Sequence, residues 1–291
     1  MASEEKDFFA VKHEWMLEAV PADGTVELSD GRKLDLFLAS AEGKAQSDPK
    51  YLVLVLPGGG YRFCSYREDH IVGRFFARAG FDAITIDYPT VPVTEAVGHG
   101  VGAAARRLLA TVIKELRTRE DLGFSSHKII LCGFSAGGHL AASMATLYGS
   151  AELADIGSAS LLRPDGAILG YAVICADPQL NRGTTFTCCT GSADPQDWQP
   201  YSCERNVTAD TPPLFIWHTA TDQQVPVQHA LSMAQAMWQH GNSCELCVLA
   251  RGRHGVSLAC DEVDPGEFDM VDDYLTQWFE RALTFIRTFV H

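Results

Sequence analysis

The chain has 291 residues, 46% of them hydrophobic and 21% charged, which suits one large α/β domain with a sizeable core. Acidic residues outnumber basic ones by 37 to 23, and the formal charge of −14 disfavours nucleic acid and anionic membrane surfaces as partners. No run approaches the ~18 apolar residues of a membrane span, and the N-terminus Met1-Ala2-Ser3-Glu4-Glu5 has no signal-peptide pattern, so a cytoplasmic location is expected.

Apolar strand runs alternate with helical segments, the pattern of a mostly parallel sheet flanked by helices. Residues 25–28 and 33–39 read as an opening hairpin turned at Ser29-Asp30-Gly31-Arg32, and a polar loop covers 40–50. Residues 51–56, YLVLVL, form a continuous apolar run suited to a strand covered on both faces, and it stops at Pro57-Gly58-Gly59-Gly60. A helix is expected over 68–79, a strand over 83–87, and a longer amphipathic helix over 97–117.

Residues 128–132 are a short central strand that runs directly into Gly133-Phe134-Ser135-Ala136-Gly137, with a small-residue helix over 139–148. Strands are expected at 167–174 and 214–218. The segment between them, 175–213, is long for a plain connection and reads as a small cap over a site. A helix (227–240), a strand (244–249), a loop holding His254 and a last helix (270–290) complete one domain over 1–291.

The run at 133–137 matches G-x-S-x-G, and its strand-before, helix-after setting is what a nucleophile elbow requires. Ser135 is the expected nucleophile. The tetrahedral intermediate of acyl transfer needs preorganised N–H donors, and the amides of Gly59, Gly60 and Ala136 are placed to supply them. His254, on the glycine-flanked loop Gly252-Arg253-His254-Gly255, is the expected base, and Asp222, just past a strand, the acid that orients it. The order Ser135, Asp222, His254 is the chain order of α/β-hydrolases.

Other candidates are weaker. His139 follows Ser135 inside the next helix and should point away from its Oγ, and His218 in a strand reads as a packed histidine. Asp177 is the main rival to Asp222, while Asp87 more naturally organises the loop at Tyr88-Pro89. Nine cysteines, an odd number, suit free thiols in a reducing compartment. Cys244 and Cys247 form a C-x-x-C in a strand-like run where i and i+3 face opposite ways, so no metal is expected.

These motifs resemble the carbohydrate-esterase-like branch of the α/β-hydrolases, the acetylesterases and acetylxylan-esterase-like proteins related to hormone-sensitive-lipase esterases. The likeness covers about 51–254 and is carried by Leu56–Tyr61 (LPGGGY), Tyr66-Arg67-Glu68, Gly133–Ala142 (GFSAGGHLAA), Thr211–Pro226 and Gly252–Gly255. It implies a cofactor-free and metal-free enzyme that removes acetyl groups, often from sugars. The partner would be a small-molecule ester or acetylated oligosaccharide, with a homo-oligomer left open. Tyr61 and Trp198 are candidates to stack on a sugar ring, with packing favoured for Trp198. The chain departs from many relatives at Tyr171-Ala172, where they carry Tyr-Pro, and in the 175–213 segment. Competing readings are a general small-ester carboxylesterase, a long-chain lipase, a prolyl-oligopeptidase-like peptidase, and a catalytically silent binding protein on the same fold.

Overall fold

The structure, a computed structural model, describes residues 16, 18–40, 50–181, 183–264, 266 and 269–291. The N-terminal run and most of the polar loop expected at 40–50 lie outside them. Eight strands form one sheet: β1 (Gly24–Glu27), β2 (Lys33–Phe37), β3 (Tyr51–Leu56), β4 (Asp82–Thr85), β5 (Lys128–Phe134), β6 (Gly166–Gly170), β7 (Leu214–Thr219) and β8 (Cys244–Leu249). Their spatial order is β1-β2-β4-β3-β5-β6-β7-β8. The opening hairpin pairs antiparallel with itself and with β4; every pair from β4 to β8 is parallel.

Parallel strands need crossovers, and the helices supply them. The main ones are α1 (His70–Arg78), α2 (Gly102–Thr118), α3 (Ser135–Leu147), α7 (Gln228–Gln239) and α8 (Asp273–Phe289); α4 (Ala159–Leu162), α5 (Thr185–Thr190) and α6 (Pro195–Trp198) are short. The core divides by the strand's period of two. Leu52, Leu54 and Leu56 pack on one face with Ile129 and Leu131, against α2, α3 and α7. Tyr51, Val53 and Val55 pack on the other with Ile130, Cys132 and Phe134, against α1 and α8. A strand buried on both faces must be apolar throughout, as YLVLVL is.

Several strand ends move from the expected bounds. The strand foreseen over 167–174 stops at Gly170, because Tyr171 takes φ +34° and turns the chain out of the ladder. The helix foreseen from 139 starts at Ser135 itself, so β5 passes into α3 with no connecting residue. The 175–213 segment holds α5, α6 and the 3-10 turns Gln199–Tyr201 and Cys203–Asn206.

The chain leaves β3 for β4 on one side and later enters β5 on the other. The topology therefore reverses between β3 and β5, and a crevice opens at their C-terminal ends. Among the described residues, no helix is long and apolar enough to cross a membrane.

Candidate active site

Residues from the C-terminal ends of β3, β5, β7 and β8 converge on this crevice. Ser135 sits at φ +50°, a region costly for a residue with a Cβ, and it is held there by close packing of the elbow. A Cβ on Gly137 would lie 2.1 Å from the Leu56 carbonyl oxygen and 2.3 Å from that of Pro57. Only glycine lets α3 start against β3 this tightly.

Ser135 Oγ stands 2.9 Å from His254 Nε2, and His254 Nδ1 stands 2.7 Å from Asp222 Oδ2. An ionised carboxylate only accepts, so Nδ1 carries the proton and Nε2 offers its lone pair to the Ser135 hydroxyl. The structure thus brings together the three residues proposed from the sequence. Asp222 Oδ1 accepts the amides of Gln224 and Val225 at 2.8 and 2.9 Å. Burial alone would raise the Asp222 pKa. The hydrogens presented by His218 and His254, with the Val225 amide, outweigh that and hold it well below the usual carboxylate range.

Gly59 and Gly60, at φ +127° and +67°, border the same cavity as Ser135 and His254, which encloses about 440 Å³. Ala136 is buried as the second residue of α3, where helix N–H groups precede the first intrahelical bond. The cavity wall is mixed: Asn181, Thr184, Thr185, Gln224 and the guanidinium-bearing Arg62 and Arg253 stand beside the apolar Phe63, Val173, Leu180 and Val225.

Tyr61, a candidate sugar platform, is corrected, and Trp198 packs as favoured. Tyr61 is 1% exposed, its hydroxyl bonds His139 Nδ1 at 2.9 Å, and its ring meets Tyr88 edge-on; it is a core residue. Trp198 is buried too, stacked on Phe186 with ring centroids 5.7 Å apart, and its indole N–H donates to the Ser192 carbonyl at 2.8 Å. Neither borders the cavity. The 175–213 segment reaches it instead through Leu180, Asn181, Gly183, Thr184 and Thr185.

His139 and Asp177 have partners of their own. His139 donates Nε2–H to the Tyr201 carbonyl at 2.9 Å, and burial lowers its pKa to about 4. Asp177 is exposed and accepts the Gln179 amide in a local turn. All nine cysteines are free, and among the described residues no cluster of histidine, cysteine and carboxylate could hold a metal. Sequence reasoning missed the acid Glu68, the aromatic Tyr171 and the part played by His218. Glu68 stood in the Tyr66-Arg67-Glu68 run, but only the folded chain shows what its carboxylate binds.

A hydroxyl, an imidazole and a buried carboxylate in series, facing a glycine loop at the C-terminal edge of a parallel sheet, form an arrangement of the kind that nucleophilic hydrolysis requires. Residues 53–258 match the family described as alpha/beta hydrolase fold, and the chain belongs to it. It is 30% identical over 224 residues to endo-1,4-beta-xylanase B of Butyrivibrio fibrisolvens, covering 74% of this chain and 34% of that protein. It is 27% identical over 245 residues to an acetylxylan esterase of Xylanibacter ruminicola, covering 79% of this chain and 47% of that one. The chain thus spans a third to a half of the length of these relatives. The acetyl ester-xyloside bifunctional hydrolase of Caldicellulosiruptor lactoaceticus has the same fold, with TM-score 0.73 and 24% identity over 92% of this chain and 97% of that one.

Proposed function

We propose that the protein is a serine carboxylic-ester hydrolase that removes short acyl groups, acetyl above all, from sugars or xylo-oligosaccharides. The observation that carries this reading is the unbroken series from Ser135 Oγ to His254 to Asp222, at 2.9 and 2.7 Å, with Ser135 and His254 bordering one cavity. Ser135 Oγ attacks the ester carbonyl as His254 Nε2 takes its proton. The amides of Gly59, Gly60 and Ala136 receive the oxyanion. Collapse expels the sugar alcohol, which takes the proton from His254, and leaves acetyl-Ser135. Water, deprotonated by His254, then releases acetate and restores the serine.

The wall and the relatives support this substrate class. Hydroxyl-, amide- and guanidinium-bearing side chains on one part of the wall can hydrogen-bond a polyol, while Phe63, Val173, Leu180 and Val225 offer apolar surface to a short acyl group. Two relatives are named for xylan or its acetyl esters. In this reading the whole chain is one hydrolase unit with 175–213 as its cap, free of metal and cofactor, and its unpaired thiols favour a reducing, cytoplasmic setting.

The test is hydrolysis of p-nitrophenyl esters from acetate to laurate beside acetylated xylo-oligosaccharides, with Ser135→Ala as control. Acetate turnover that falls steeply beyond butyrate, with acetate released from the sugars, supports the reading. Turnover of longer esters with intact sugars points to a general carboxylesterase. No serine-dependent hydrolysis of any ester rejects it.

A further inference from the structure

Beside the Ser135 array lies a second carboxylate that the ester chemistry does not consume. Glu68 closes the 3-10 turn Tyr66–Glu68, is 2% exposed, and borders the cavity. A buried carboxylate is costly unless its lone pairs are filled. Its Oε2 accepts the Gly58 amide at 2.7 Å, and its Oε1 accepts the Tyr171 hydroxyl at 2.5 Å.

Each donor belongs to a different half of the site. Gly58 opens the glycine loop, and its own carbonyl accepts the Ser65 amide at 3.0 Å. A Cβ added there would stand 2.6 Å from Glu68 Oε2 and 3.0 Å from Ser135 Cβ, so loop, carboxylate and nucleophile meet around one point. Tyr171 faces the other half. Its hydroxyl accepts the amide of Ser257 at 2.9 Å, three residues past His254, and its ring meets the His254 imidazole edge-on at 5.0 Å. Ser257, at φ +51°, donates Oγ–H to the Arg67 carbonyl at 2.6 Å, and its backbone carbonyl accepts the Trp278 indole N–H at 3.0 Å.

We propose that Glu68 is a positioning residue that clamps the oxyanion loop to the loop carrying His254, with Tyr171 as the link. The proposal rests on the assignment of Ser135 and His254 made above. A run of glycines samples many backbone states, and a charge-assisted bond to its first amide fixes the peptide plane from which Gly59 and Gly60 follow. The same carboxylate, through Tyr171 and Ser257, sets the height of the imidazole over Ser135. Donors and base must keep register with the nucleophile to within a fraction of an ångström. One carboxylate shared between the two loops meets that demand.

The test compares Glu68→Gln, Glu68→Asp, Tyr171→Phe and Glu68→Gln/Tyr171→Phe. The readouts are kcat and KM on p-nitrophenyl acetate, per serine titrated with a fluorophosphonate, and amide exchange at 58–61 and 254–258. The clamp predicts that Glu68→Gln lowers kcat per titrated serine about 10- to 100-fold with KM within about twofold. Aspartate should recover part of the loss, and the double variant should be no worse than the poorer single one. Exchange should accelerate in both loops together. A kcat per titrated serine within about twofold of wild type in Glu68→Gln and Tyr171→Phe, with only thermal stability lowered, would overturn the clamp. Unchanged exchange in either loop would also overturn it, whether or not esters are turned over. Absence of Ser135-dependent hydrolysis in the wild type would instead reject the esterase reading and leave the exchange result to decide the clamp. Should Glu68→Gln not fold, Tyr171→Phe carries both readouts.

Discussion

His218 Nε2 lies 3.6 Å from Asp222 Oδ2, the same oxygen that faces His254 Nδ1 at 2.7 Å. His218 is fully buried and presents Nε2–H to the Val225 carbonyl at 2.8 Å, so it places a hydrogen beside the carboxylate and braces the loop that holds it. Replacing it with phenylalanine removes both effects. His218→Phe should lower kcat/KM about tenfold, less than Asp222→Asn, which favours the wrong His254 tautomer and should cost about 10⁴-fold. Steady-state kinetics on p-nitrophenyl acetate rank the two, and a reversed order would refute this account of His218.

Ser135→Ala should reduce kcat/KM by at least about 10³-fold and abolish fluorophosphonate labelling. Its effect on stability separates from its effect on chemistry. Because the residue stands at φ +50°, Ser135→Gly should be more stable than Ser135→Ala by about 1 kcal/mol. Urea titrations of the two inactive variants would show it, and equal midpoints would mean that the elbow stores no strain.

Gly137→Ala leaves every polar group of the site in place yet drives a methyl into the Leu56 and Pro57 carbonyls. Neither is a flexible side chain that could yield. A destabilisation of about 2–3 kcal/mol is expected, with loss of turnover in whatever fraction remains folded. Thermal melting and active-serine titration test it together.

Stability should fall on mild acidification. Burial lowers the pKa of both His139 and His229 to about 4, and His229 Nδ1 accepts the Ile174 and Cys175 amides at 3.0 Å each. The unfolded chain takes up these protons near pH 6.5, the folded chain only near 4. Their contribution is therefore complete above about pH 6.5 and is lost as pH falls toward 4, by at most about 3 kcal/mol for each histidine. Urea midpoints at pH 7.5, 6 and 5 should descend, and a midpoint independent of pH would contradict the burial of both rings.

Most of the frame is legible in the sequence because it rests on local chemistry. YLVLVL and CELCVL occupy their expected strands, 51–56 and 244–249, residue for residue. That Ser135, Asp222 and His254 come together is legible because each follows a strand on a turn with its own signature. What stayed hidden depends on contacts far apart in sequence. Tyr61 and Trp198 carry the same aromatic chemistry whether they face a sugar or a core, and only their partners His139 and Phe186 decide. The Glu68–Tyr171 bond spans 103 positions, and no periodicity in either segment announces it. Strand β6 was drawn too long because the apolar run continues past Gly170 into a turn that is buried as deeply as the strand.

His254 reaches Ser135 from 119 residues further along the chain, on the loop that follows β8, the strand paired with β7. A growing polypeptide that has emerged from the ribosome as far as the elbow therefore holds a serine with nothing to activate it. Under the proposed mechanism, reactivity toward esters requires the last strand of the sheet, so acquisition of turnover during synthesis or refolding would report completion of the sheet. In the same mechanism, a chain cut anywhere before β8 would be left with an inert hydroxyl rather than a stray nucleophile.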